Sequence, residues 1–188
     1  GSYTLTLHGP DVPLGGSAAV YNFDVPALNS VVVSIPDFAR APGQPVDVPA
    51  FDGHVAHRGL PVYVTSAGDL ASMVFDIAYD PALLSITDVF PGAGAPADLA
   101  IWASLTPGLA TIRFSATAPL PAGNRQEILL LSAAVPGGAG YGAAQCIHIG
   151  NGILQAYATA EGGEPPPQLP ATADHAVHAV MIDRKSVV

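Results

Sequence analysis

Along residues 72–79 the chain alternates with a period of two: Met73, Phe75, Ile77 and Tyr79 hold one phase, and Ser72, Val74, Asp76 and Ala78 the other. A strand with one face on a core reads this way. Tyr79-Asp80-Pro81 ends it, because proline offers no N–H to a ladder and drives the preceding residue out of helical space. Leu83, Leu84 and Ile86 return at once to apolar packing. The context this predicts is an antiparallel sandwich with one wet face.

Similar patterns recur on both sides. Residues 3–7 and 19–25 predict an N-terminal strand pair, either an extension of the sandwich or the end of a preceding β-module. Strands follow at 31–35, closed by Pro36, and at 45–49, where two prolines suit an edge. A loop or a split strand is expected at 51–59 and a strand at 60–65. Residues 86–90, 99–104 and 109–115 are further strands, the last two a hairpin across Thr106-Pro107-Gly108. The apolar run at 127–135 fits a strand buried on both faces, with a short helix as the alternative. Strands at 144–149 and 153–158 flank Gly150-Asn151-Gly152, a tight-turn sequence. Residues 161–170 have linker composition, and 176–182 is a candidate strand whose place is open.

Composition narrows the class. Charged residues are 11% of the chain, while 20 Gly and 19 Pro punctuate it, which favours many short strands over long helices. A net charge of −9 with six Lys and Arg argues against a basic, phosphate-binding face, so nucleic acid is not an expected partner. No apolar run of about 18 residues occurs, nor a basic start followed by an apolar stretch, so neither membrane insertion nor a signal peptide is expected. The chain reads as a module of a larger protein. Cys146, alone, is expected to be a buried thiol.

Candidate chemistry is sparse, and no catalytic or metal-binding residue is assigned. Asp76 and Asp80 lie roughly 13 Å apart along a strand, beyond the roughly 5–9.5 Å of a glycosidase pair. No nucleophile elbow, phosphate loop or Cys-x-x-Cys is present. His54-x-x-His57 and His175-x-x-His178 fall outside any evident helix and read as solvent-exposed loop histidines. Asp52-Gly53 lacks the carboxylate series of a calcium loop.

The stretch Phe75-Asp-Ile-Ala-Tyr-Asp-Pro-Ala-Leu-Leu-Ser-Ile-Thr-Asp-Val89 resembles the third strand and following turn of cohesin domains, the modules that hold dockerins in cellulosome-like assemblies. Val33-Ser-Ile, with Pro42-Gly-Gln-Pro-Val-Asp-Val-Pro49, resembles their opening strands, and residues 110–155 continue the order. The resemblance implies an all-β jelly-roll β-sandwich of about nine core strands over 31–160, with extra N-terminal strands at 1–30 and a Pro-rich linker and tail at 161–188. It implies a non-catalytic module that docks a dockerin-bearing protein, part of a larger secreted protein acting extracellularly or at a cell surface. The chain itself then needs no cofactor, and any calcium belongs to the dockerin partner.

By position, Ser72, Val74 and Asp76 fall on the face that receives the dockerin in cohesins, and the neighbouring hairpin adds Trp102, Thr111, Arg113 and Ser115 when its register matches. Val74 departs from the polar residue expected there and makes the patch more apolar. Trp102 as a core plug or a loop cover and Arg113 as a plain solvated charge are the bland readings. Two other functions stay open: a carbohydrate-binding module, if Tyr63, Trp102 and Tyr141 converge, and a structural spacer or adhesin-like repeat.

Overall fold

The computed structural model describes residues 2–7, 19–24, 30–48, 59–160 and 164–181. Fourteen strands run in the order β1 Ser2–Leu7, β2 Ala19–Asp24, β3 Val31–Ser34, β4 Phe38–Arg40, β5 Leu60–Ser66, β6 Leu70–Ala78, β7 Ser85–Pro91, β8 Ala100–Thr106, β9 Leu109–Ser115, β10 Gly123–Ala134, β11 Ala144–Ala158, β12 Gln168–Leu169, β13 Ala171–Asp174 and β14 Ala176–Val180. No helix occurs among the described residues. β1 and β2 pair antiparallel as a two-stranded sheet of their own.

The remaining strands form two sheets. One is ordered β13-β3-β5-β10-β7, the other β4-β14-β11-β6-β9-β8 with β12 against β11. Every pairing is antiparallel except β13 with β3 and β14 with β4. The core lies between the sheets. Met73, Phe75 and Ile77 of β6 meet Ile112 and Phe114 of β9, and Val62, Val64, Leu129 and Leu131 belong to the same cluster from the other sheet. The alternation along β6 is therefore the core pattern of the sandwich. The turn after it is built on Asp80, whose Oδ1 accepts the Ala82 N–H (2.8 Å) and whose carbonyl accepts those of Leu83 and Leu84 (both 3.0 Å).

Several expectations are corrected. The described part of the tail extends the sandwich: β13 closes the five-stranded sheet, and β14 pairs with β11 and β4, burying Ala176 and Val180. Together with β4 this brings the strands of the two sheets to twelve, against the about nine expected. Residues 45–48 are not a strand; Pro45 makes one isolated bridge with Ala134. The run at 127–135 is neither doubly buried nor helical. A register shift between Glu127 and Leu129 lets β10 continue with Leu129, Leu131 and Ala133 buried and the residues between them half-buried. Cys146 is exposed. The loop expected at 51–59, with His54 and His57, lies outside the described residues apart from Gly59.

His178 is not a loop histidine. It sits on β14 with no exposed surface, its ring stacked on Phe38 at 4.5 Å between centroids. Gln145 Oε1 accepts the Asp80 N–H (2.6 Å), so the amide's Nε2 donates to His178 Nδ1 (3.1 Å). The imidazole is thereby neutral, with its proton on Nε2, an atom with no partner among the described residues. Burial pushes its pKa below the ordinary 6.5.

Candidate functional site

The outer face of the sheet holding β6 is set by register. Three rows cross it: Tyr157, Ser72, Ser115 and Ala100; Gln155, Val74, Arg113 and Trp102; and Asp76, Thr111 and Ser104. Period-two alternation sends Met73, Phe75, Ile112 and Phe114 inward, so the residues between them point away from the core. The register thus brings all seven candidates, Ser72, Val74, Asp76, Trp102, Thr111, Arg113 and Ser115, onto one face. Four strands about 4.8 Å apart make it roughly 14 Å across between outer strand axes, wide enough for a helix about 10 Å thick.

Exposure separates the seven. Trp102 is 55% exposed, so it is no core plug. Arg113 is exposed and stands over the Trp102 ring, its guanidinium carbon 5.5 Å from the centroid, within cation–π reach. Ser72, Val74, Thr111 and Ser115 are half-buried.

Asp76 is the correction. It is buried at 7% exposure. In β11, Ile149 faces Ile77 and Leu154 faces Phe75, so residues 150–153 bulge opposite Asp76 alone. Its carboxylate accepts the N–H of Gly152 (3.0 and 3.2 Å) and of Ile153 (3.2 Å), replacing the ladder bonds the bulge gives up. Both glycines serve this geometry. Gly150 has φ +70°, and a Cβ on Gly152 would stand 2.9 Å from Asp76 Oδ2. The Gly150-Asn151-Gly152 turn between two strands is therefore a bulge within one strand, because β6 runs unbroken past it and keeps both halves of β11 paired.

Sequence reasoning missed Gln155, Tyr157 and Pro166. With Ser72, Val74 and Arg113 they line an open cavity of about 320 Å³ on this face. Tyr157 Oη donates to Gln155 Oε1 (2.9 Å), bracing the two side chains. Gln155 and Tyr157 share the outward phase of 153–158, a legible signal. Pro166 was hidden by linker composition. The proline segment is carried to β11 by the bond from Ala158 N–H to the Pro167 carbonyl (2.9 Å) and by β12.

The aromatic trio of a sugar-stacking site does not assemble. Tyr63 is 4% exposed on β5, in the other sheet from Trp102, and Tyr141 lies in the connection between β10 and β11. No group of three or more metal-ligating side chains converges among the described residues.

No family model and no curated protein matches the sequence. Solved structures do match. A non-cellulosomal cohesin from the archaeon Archaeoglobus fulgidus aligns at TM-score 0.61 and 9% identity, over 84% of this chain and 95% of its own. The chain has a cohesin-like fold. The third ScaC cohesin of Acetivibrio cellulolyticus, solved with the ScaB dockerin, aligns at TM-score 0.60 and 13% identity over 81% of this chain and 99% of that one. The seventh ScaB type I cohesin of Pseudobacteroides cellulosolvens gives 0.61 and 12%, over 82% and 94%. The similarity lies in the jelly-roll sandwich rather than in residues, as burial patterns outlast side-chain identity when the core volume is kept.

Proposed function

We propose that this cohesin-like domain is a non-catalytic docking module. Its partner is a dockerin-bearing protein, its setting an extracellular or cell-surface assembly, and its contact surface the outer face of β6, β8, β9 and β11. The observation that carries the reading is the exposed Trp102–Arg113 pair at the edge of a broad, weakly charged sheet face, on a fold whose solved neighbours include cohesins held by dockerins. Trp and Arg bury large area while keeping a directed polar contact, and the half-buried Ser72, Thr111 and Ser115 supply a rim of hydroxyls. Calcium enters through the dockerin.

Calorimetric titration with a panel of dockerins, in calcium and again in chelator, tests this. Calcium-dependent saturation with at least one dockerin is the expected result. The absence of heat across the panel, with a folded sample, overturns it.

A further inference from the structure

Two charged side chains of the Asp, Glu, Lys and Arg types occur in the four strands of the candidate face, Asp76 and Arg113. Asp76 is consumed internally by the β11 bulge. What the face offers a partner is therefore a single positive charge, on a chain whose formal net charge is −9. No carboxylate among the described residues pairs with Arg113, and Trp102 holds its guanidinium. Beside it opens the cavity walled by Val74, Tyr157 and Pro166.

Resting on the docking reading above, we infer that Arg113 sets partner specificity: it selects a dockerin whose docking helix carries an Asp or Glu, with an adjoining apolar side chain entering the cavity. The charge pattern drives the choice. The overall charge disfavours a carboxylate, and on this face Arg113 is the one Lys or Arg that favours it, so the pair sets both partner and orientation. A guanidinium already standing over an indole has less freedom to lose on pairing, and its fork takes both carboxylate oxygens, which an ammonium does not.

The test is selection from a displayed dockerin library, randomised at exposed helix positions, against the wild-type domain and against Arg113→Glu. Both side chains are exposed, and circular dichroism checks that each protein is folded. Wild-type selection is expected to enrich Asp or Glu at one common position, and Arg113→Glu selection to enrich Lys or Arg there. A wild-type-selected binder should lose at least about tenfold in affinity on Arg113→Gln, with only partial recovery on Arg113→Lys. Binders without a shared acid, or with affinity for Arg113→Gln within about twofold of wild type, a difference too small for a charge-assisted pair, overturn the specificity claim and leave docking intact. A library that yields no binder to the folded wild type overturns docking itself, and the inference with it.

Discussion

Replacing Asp76 by Ala should destabilise the domain rather than merely weaken an interface. The carboxylate accepts two backbone N–H groups, at 3.0–3.2 Å, in a bulge that has no other partner across from it. A hydrogen bond to a charged acceptor contributes about 1.5–3 kcal/mol net. Gly152 and Ile153 are exposed, so water satisfies part of what the substitution frees, and the lower end applies. Two such bonds give about 3 kcal/mol, or a fall in Tm of roughly 6–12 °C for a chain of this size. Asp76→Asn keeps one acceptor and turns an NH₂ toward the same donors, for about half that loss. Urea denaturation read by circular dichroism, with equal m-values, measures both. An Asp76→Ala stability within about 0.5 kcal/mol of wild type, the range of an inconsequential surface substitution, would refute the role assigned to this carboxylate.

Four further expectations follow from particular contacts. Gly152→Ala should cost about 1–2 kcal/mol alone but much less in the Asp76→Ala background, because its Cβ collides with the Asp76 oxygen; additive losses in a double-mutant cycle would contradict that. His178 is held neutral with its pKa below 6.5, so the unfolded chain binds the extra proton as pH falls. Its contribution is full above pH 6.5 and is lost as pH drops from there toward the folded-state value; His178→Phe should flatten this part of the stability profile, and an unchanged slope would count against it. Deleting residues 164–188 removes β13 and β14 and uncovers Val31, Val33 and Ile147, so the truncated chain should fail to fold cooperatively by calorimetry. Trp102→Ala should leave Tm within about 2 °C, since the indole is 55% exposed, yet reduce dockerin affinity by about 30-fold or more; full retention of affinity would remove Trp102 from the contact surface.

The core of the fold was legible because burial writes a period of two into the chain, and Met73, Phe75 and Ile77 carried it. The face was legible in part for the same reason: the phase of β6 puts Val74 outward, and Arg113 opposite Trp102 follows from the β8–β9 hairpin, whereas Val74 opposite Arg113 needs the long-range pairing of β6 with β9. What local pattern does not encode is long-range pairing. Parallel pairing with β3 and β4 turns a proline-rich tail into sandwich strands, and nothing within residues 164–181 signals it. Likewise Gly150-Asn151-Gly152 has the chemistry of a turn, and only the continuous partner strand makes it a bulge. Asp76 was in the right phase for exposure but stands opposite that bulge, which covers it. His178 was read as a loop histidine because the candidate strand at 176–182 had no place in the sandwich until β11 and β4 were seen to flank it.

The measurement closest to the central claim is amide hydrogen exchange on the free domain and on its complex with a calcium-loaded dockerin. The account predicts that added protection concentrates in β6, β8, β9 and the second half of β11, around Val74, Trp102, Arg113 and Gln155. Protection confined to β3, β5, β7 and β10, the opposite sheet, would contradict it.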